Sequence, residues 1–208
     1  MMSLALLTFA LAALLTVATP GPTSLLAFSN GARHGLRDAG FGIAGAVLSD
    51  LVLIAAVSAG LGVLLSTSQL LFSAVKWLGV AYLAYIGLRL LLSKAAPTAT
   101  ATIAHVTERR RLFSRSFLVA VTNPKGYLFF TALLPQFIDA TTPVLPQYLL
   151  LAVIFSLIDL VVLLAYAAAG KRCAGRFGSK LIARMDRLCG GVFLALAGGL
   201  AMLRRAVA

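Results

Sequence analysis

Long apolar runs separated by short basic segments dominate this sequence, and they leave few folds open. A helix that crosses a bilayer needs about 20 mainly apolar residues. Six runs qualify or nearly qualify: 4–28, 40–65, 70–92, 117–138, 148–169 and 188–203. The last has only 16 residues and needs Arg187 and Arg204 to snorkel from its ends. The runs are continuous rather than alternating, which argues for helices and against a membrane barrel. Charged residues make up 12% of the chain, against about 25% in an average soluble domain. A soluble enzyme and a disordered chain are excluded together. Residues 1–30 do not read as a cleaved leader: no Lys or Arg precedes Arg33, and the apolar run is too long. The fold class is an all-α, multi-pass membrane protein of six helices in a single integral membrane domain.

The net charge of +12 would suggest nucleic acid in a soluble protein. Here the basic residues sit between apolar runs, so the bilayer is the partner and nucleic acid is not. Between the runs, Lys and Arg fall in three segments. The first holds Arg33 and Arg37; the second holds Lys94, Arg109, Arg110, Arg111 and Arg115; the third holds Lys171, Arg172, Arg176, Lys180, Arg184 and Arg187. The two remaining connections hold none. The positive-inside rule places the three segments in the cytoplasm and both termini outside. Residues 93–116 form the one real linker. Its Glu108-Arg109-Arg110-Arg111 cluster reads as an orientation signal near anionic lipid. Three runs, a long linker and three more runs suggest a 3+3 inverted repeat, a known transporter design.

Two carboxylates stand out. Asp50 and Asp159 lie mid-run, each in the second run of its half, in a chain with six acidic residues. A charge at mid-bilayer costs about 2.5–3.5 kcal/mol on insertion scales. Their functional reading is proton or cation coupling. The alternative is a structural acid, paired with Lys125 or with a neighbouring hydroxyl. Pro20-Gly21-Pro22 should break the first helix, since proline removes a donor and clashes with the preceding turn. A helix start freed in this way could receive a carboxylate. Asn123-Pro124-Lys125-Gly126 is a second break, with a cation and an amide beside it. Lys125 either holds a carboxylate or snorkels to the interface.

Other signals carry less. Gly40-Phe41-Gly42-Ile43-Ala44-Gly45 matches GxGxxG by letter but lacks the preceding strand. It reads as close helix packing by small residues. The Gly190-Gly191 and Gly198-Gly199 pairs read likewise, as faces for a neighbouring helix or for a second copy in a homodimer. Cys173 and Cys189 read as free thiols, with no zinc ligand set and no cofactor motif. Two rival functions follow from the residues. An intramembrane aspartyl protease would use Asp50 and Asp159 as a dyad, although their flanks lack the patterns of such enzymes. An exporter of metal ions or another small solute would lack a good cation cage beside Lys125.

Three stretches together resemble the lysine exporter (LysE/RhtB) family of bacterial amino-acid exporters. They are Thr19–Pro22 with the basic segment Asn30–Gly35, the glycine-rich Gly40–Asp50, and Asn123–Phe130 continuing through Leu134–Asp139. The resemblance implies a six-helix protein of the bacterial inner membrane that expels amino acids by proton antiport. By similarity it implies that Pro20, Gly21, Pro22, Asp50, Asn123, Pro124 and Lys125 bind substrate or proton. Asp159 lies outside the three stretches and rests on its burial alone.

Overall fold

The computed structural model describes residues 2–60, Ser73, Trp77, nine positions between Val80 and Leu92, residues 104–139 and residues 141–202. Among the described residues the fold is all-helical, with no strand. The elements are α1 (Met2–Ala18), α2 (Pro22–Ser58), α3 (Ala104–Val121), the short α4 (Pro124–Leu128) and α5 (Val144–Met202). A π turn over Phe129–Leu133 and a 3-10 turn over Leu134–Phe137 follow α4.

The first break falls where the sequence puts it. α1 stops at Ala18, and Gly21 is extended (φ −154°, ψ −176°) before Pro22 opens α2 in its first turn. Proline suits that position because its missing N–H has no intrahelical partner to lose. Ser24 closes the cap. The Gly21 N–H donates to Ser24 Oγ at 2.8 Å, and the hydroxyl donates back to the Gly21 carbonyl at 3.1 Å.

α2 contains one non-helical residue, Gly35 (φ 73°, ψ 177°). This left-handed φ costs any residue with a Cβ. A Cβ on Gly42 would lie 2.8 Å from Asn30 Nδ2, so the arms 22–34 and 36–58 lie side by side. The chain reverses at Gly35. The sequence places a loop between runs 4–28 and 40–65; the structure reduces it to this corner. The basic segment stays helical, and the second arm ends at Ser58, ahead of Gly60 (φ 86°).

The second break also falls as the sequence puts it. Glu108–Val121 and Lys125–Phe137 meet at 51°. The expected run 117–138 is thus a helix entering from further upstream and then bending. α5 takes in both later runs. The sequence separates 148–169 and 188–203 by a basic segment, and helical structure continues through that segment. Lys, Arg, Ala and Leu are good helix formers and keep that stretch helical. Among the described residues two helices, Pro22–Ser58 and Val144–Gly175, are long and apolar enough to cross a membrane, and the bent pair is a third if counted as one span. Leu4–Ala18 is a shorter apolar helix. Most of the run 70–92 and residues 93–103 of the linker lie outside the described residues.

Glycines set the helix contacts. A Cβ on Gly31 would strike the Ala167 backbone, one on Gly170 the Phe28 backbone, and one on Gly45 the Phe113 backbone. Gly42 and Gly45 of the GxGxxG stretch therefore pack helices, while Gly40 faces open space. Gly190 meets Gly87 of the same chain, where a Cβ would lie 2.7 Å from the Gly87 carbonyl. Gly191 and Gly198 meet nothing within 4 Å. Two contacts gather the basic segments at one end of the molecule. Gly170 abuts Phe28 and Ala32, and Arg109 Nε donates to Asp38 Oδ1 at 2.8 Å. At the other end an apolar core unites Phe9, Ala13, Ile54, Phe129, Phe130, Leu134, Leu151 and Phe155. Its rings pack tilted or edge to face, with Phe130 and Phe155 centroids 4.7 Å apart.

Candidate functional site

Residue counts from the basic end place the unusual groups at one level. Pro22 lies thirteen residues from the Gly35 corner and Asp50 fifteen. At 1.5 Å per residue both stand about 20 Å from it. The break in the first run therefore faces Asp50 across the α2 hairpin. Asp159 lies eleven residues before Gly170, which packs beside Phe28. That brings α5's carboxyl to a similar depth.

These groups line one cavity of about 50 Å³, room for a few water molecules. Its wall includes Gly21, Thr23 and Ser24 of the α2 start, Asp50 of the second arm, Asn123 and Lys125 of the second break, and Asp159 of α5. Asp50 and Asp159 are 8% and 5% exposed and both stand in this wall. Two buried carboxyls so placed can share a proton, which relieves the repulsion between two buried charges. The second oxygen of Asp159, Oδ2, is buried without a partner.

Both breaks leave backbone groups that side chains complete. Lys125 Nζ donates to the Thr19 carbonyl at 2.7 Å, and the Tyr166 hydroxyl donates to the Ala18 carbonyl at 2.8 Å. These carbonyls form the negative end of α1, where a cation is favoured. Asn123 Oδ1 accepts from the Lys125 N–H at 3.1 Å, capping α4, while its Nδ2 donates to Thr23 Oγ1 at 3.2 Å. The two breaks are thus tied to each other. The first-turn amides of Thr23 and Ser24, without intrahelical acceptors, belong to the same wall. Among the described residues no acid lies within salt-bridge distance of Lys125; its ammonium caps the broken helix.

Of the residues named from sequence, Gly21, Asp50, Asn123, Lys125 and Asp159 reach the cavity. Pro20 is exposed and Pro22 is buried, and neither lines it; both shape the break instead. Pro124 opens α4 and likewise sets the bend. Sequence reasoning missed Thr16, Val17, Ala120, Phe155 and Leu163. Helical spacing could have found three of them. Phe155 and Leu163 stand four residues either side of Asp159, and Ala120 stands three before Asn123.

Residues 14–204 match the LysE type translocator family. The chain belongs to the LysE family. Among similar members, a homoserine/homoserine lactone efflux protein of Salmonella typhimurium is 36% identical over 189 residues, covering 90% of this chain and 91% of that protein. An uncharacterized membrane protein of Vibrio cholerae is 34% identical over 190 residues, covering 90% and 92%. A leucine efflux protein of Salmonella choleraesuis is 31% identical over 136 residues, covering 65% and 64%. No solved structure matches. This LysE-family chain is a transmembrane efflux transporter. Its named relatives are efflux proteins and not enzymes, which removes the support for a protease.

Proposed function

We propose that this protein exports amino acids from the bacterial cytoplasm across the inner membrane, driven by proton antiport. The observation that carries this reading is the pair of buried carboxyls, Asp50 and Asp159, set with Lys125 and a broken helix around one cavity. A zwitterion needs a positive and a negative partner together. The α2 start offers donors to its carboxylate. The carboxyl pair accepts its ammonium once the shared proton leaves. Proton and substrate then compete for one place, which is the elementary requirement of antiport. The relatives named for homoserine and leucine efflux support an uncharged side chain on the substrate.

In this reading the chain crosses the membrane six times as a 3+3 inverted repeat, with its basic end in the cytoplasm and both termini outside. Asp50→Asn is expected to abolish export while leaving insertion intact. Everted vesicles test it, since export appears there as uptake. Labelled amino acids, offered singly under an imposed proton gradient, should accumulate with the wild type and not with Asp50→Asn. Equal accumulation by both removes Asp50 from the mechanism. No accumulation of any amino acid by inserted wild-type protein turns the assignment toward other solutes or metal ions.

A further inference from the structure

We propose that the seam between the α2 hairpin and α3 is the cytoplasmic access route to the cavity. In this proposal Asn30 and Ser116 are the polar contacts met on the way, and the Asp38–Arg109 pair is its closure. It rests on the exporter reading for its direction.

Two stripes face each other along this seam. On α2 they are Asp38, Gly42, Gly45 and Ser49; on α3 they are Arg109, Leu112, Phe113 and Ser116. Steps of three and four residues keep each set on one helix face. Contacts join them in order. Arg109 Nε meets Asp38 Oδ1 at 2.8 Å, and its guanidinium lies 5.0 Å from the Phe41 ring centroid. His34 Nε2 stands 3.8 Å from Glu108 Oε1 beside it. Deeper, a Cβ on Gly42 would lie 2.8 Å from both Asn30 Nδ2 and Ser116 Oγ. Continuing along α3, the same spacing reaches Ala120 and Asn123, which line the cavity.

Beside the buried Leu112 the seam also buries polar groups. Asn30 is 2% and Ser116 4% exposed, and Asn30 Nδ2 donates to Ser116 Oγ across 3.5 Å. That length is at the outer edge of a hydrogen bond and parts easily. The opposite side of the cavity is closed by Phe9, Phe129, Phe130 and Phe155, which offer a zwitterion no polar partner. Moving a polar group past unpaired apolar surface costs several kcal/mol more than exchanging it between hydrogen-bonding partners. A solute coming from the basic end therefore has one favoured path, and separating α3 from α2 opens it.

The test uses full-length protein in everted vesicles, with Cys173 and Cys189 replaced by serine. Cysteines at Asp38→Cys and Arg109→Cys are joined by a bismaleimide carrying a reducible link. Uptake of the transported amino acid should fall at least tenfold on cross-linking and recover on reduction in the same vesicles, which separates locking from misfolding. Undiminished uptake by cross-linked protein overturns the closure. A second arm needs no substrate. Ser116→Cys should react with a membrane-impermeant maleimide added from the cytoplasmic face, and more slowly once positions 38 and 109 are joined. Reaction from the outer face only, or from neither face, overturns the route. If the unmodified protein takes up no amino acid, the exporter reading fails while the labelling still decides the seam.

Discussion

Lys125 shows how a single side chain serves a backbone fault. Its ammonium holds the Thr19 carbonyl that the break at Pro20 leaves open. Lys125→Met should cost about 1 kcal/mol, since both partners are only partly buried. Thermal unfolding in detergent would read that loss, and vesicle uptake should fall with it. Asp139 makes the contrast. Thr141 donates to Asp139 Oδ1 from its hydroxyl at 2.6 Å and from its amide at 2.9 Å. These bonds hold the Asp139 carboxyl below the usual carboxylate range. A depressed pKa stabilises the fold above the unfolded value and ceases to do so only as pH falls through the folded one. This contribution is therefore complete at neutral pH and lost in strong acid. Asp139→Asn should leave uptake unchanged, in contrast with Asp50→Asn, and equal loss in both would separate function from cavity geometry. At this scale the sequence was informative about charges in apolar runs, because burying one is costly enough to stand out. It did not reveal that Asp50 and Asp159 meet in one cavity wall. Two positions 109 residues apart acquire a distance only through packing.

Breaks were legible at the level of elements because proline acts locally. Thr19–Pro22 and Asn123–Pro124 interrupt their helices without help from any neighbour. Corners were less legible. Gly35 reverses the chain alone, yet the sequence around it offers several glycines of equal standing, Gly31 and Gly40 among them. Only the positive φ separates them. Gly45 and Gly40 provide a matched test of helix packing. A Cβ at Gly45 runs into the Phe113 backbone, while Gly40 has nothing within 4 Å. Gly45→Ala should destabilise by about 1–3 kcal/mol through overpacking. Gly40→Ala should be neutral or stabilising by up to about 1 kcal/mol, through helix propensity. Unfolding midpoints of the two variants in one detergent decide it, and matched losses would mean that α2 and α3 do not meet closely there. The basic segment within α5 shows the converse: charges interrupt an apolar run without interrupting helical structure.

The whole molecule is polar toward its basic end and aromatic toward the other, with the cavity between. The walls of that cavity come from both breaks, the second arm of α2 and α5, so a solute held there touches all of them at once. Ala120 borders both the cavity and the α3 stripe, and Ala120→Trp should occupy the space. Uptake should be lost while the protein still inserts, as read by vesicle transport and membrane fractionation; preserved uptake would place the substrate elsewhere. The hydrophobic pattern made the class of architecture readable, but which helices enclose the cavity is decided by glycine contacts that no periodicity announces. The depth of the carboxyl pair also has an electrical meaning. It stands about 20 Å from the basic corner, in a hydrocarbon layer of about 30 Å. With the basic face at the cytoplasmic surface, as proposed, a charge passing between the pair and that face crosses more than half of the membrane's voltage drop, which in full amounts to about 2.3 kcal/mol per elementary charge per 100 mV. A charge arriving from the far face crosses the smaller share, so the membrane potential acts more strongly on exchange with the basic side.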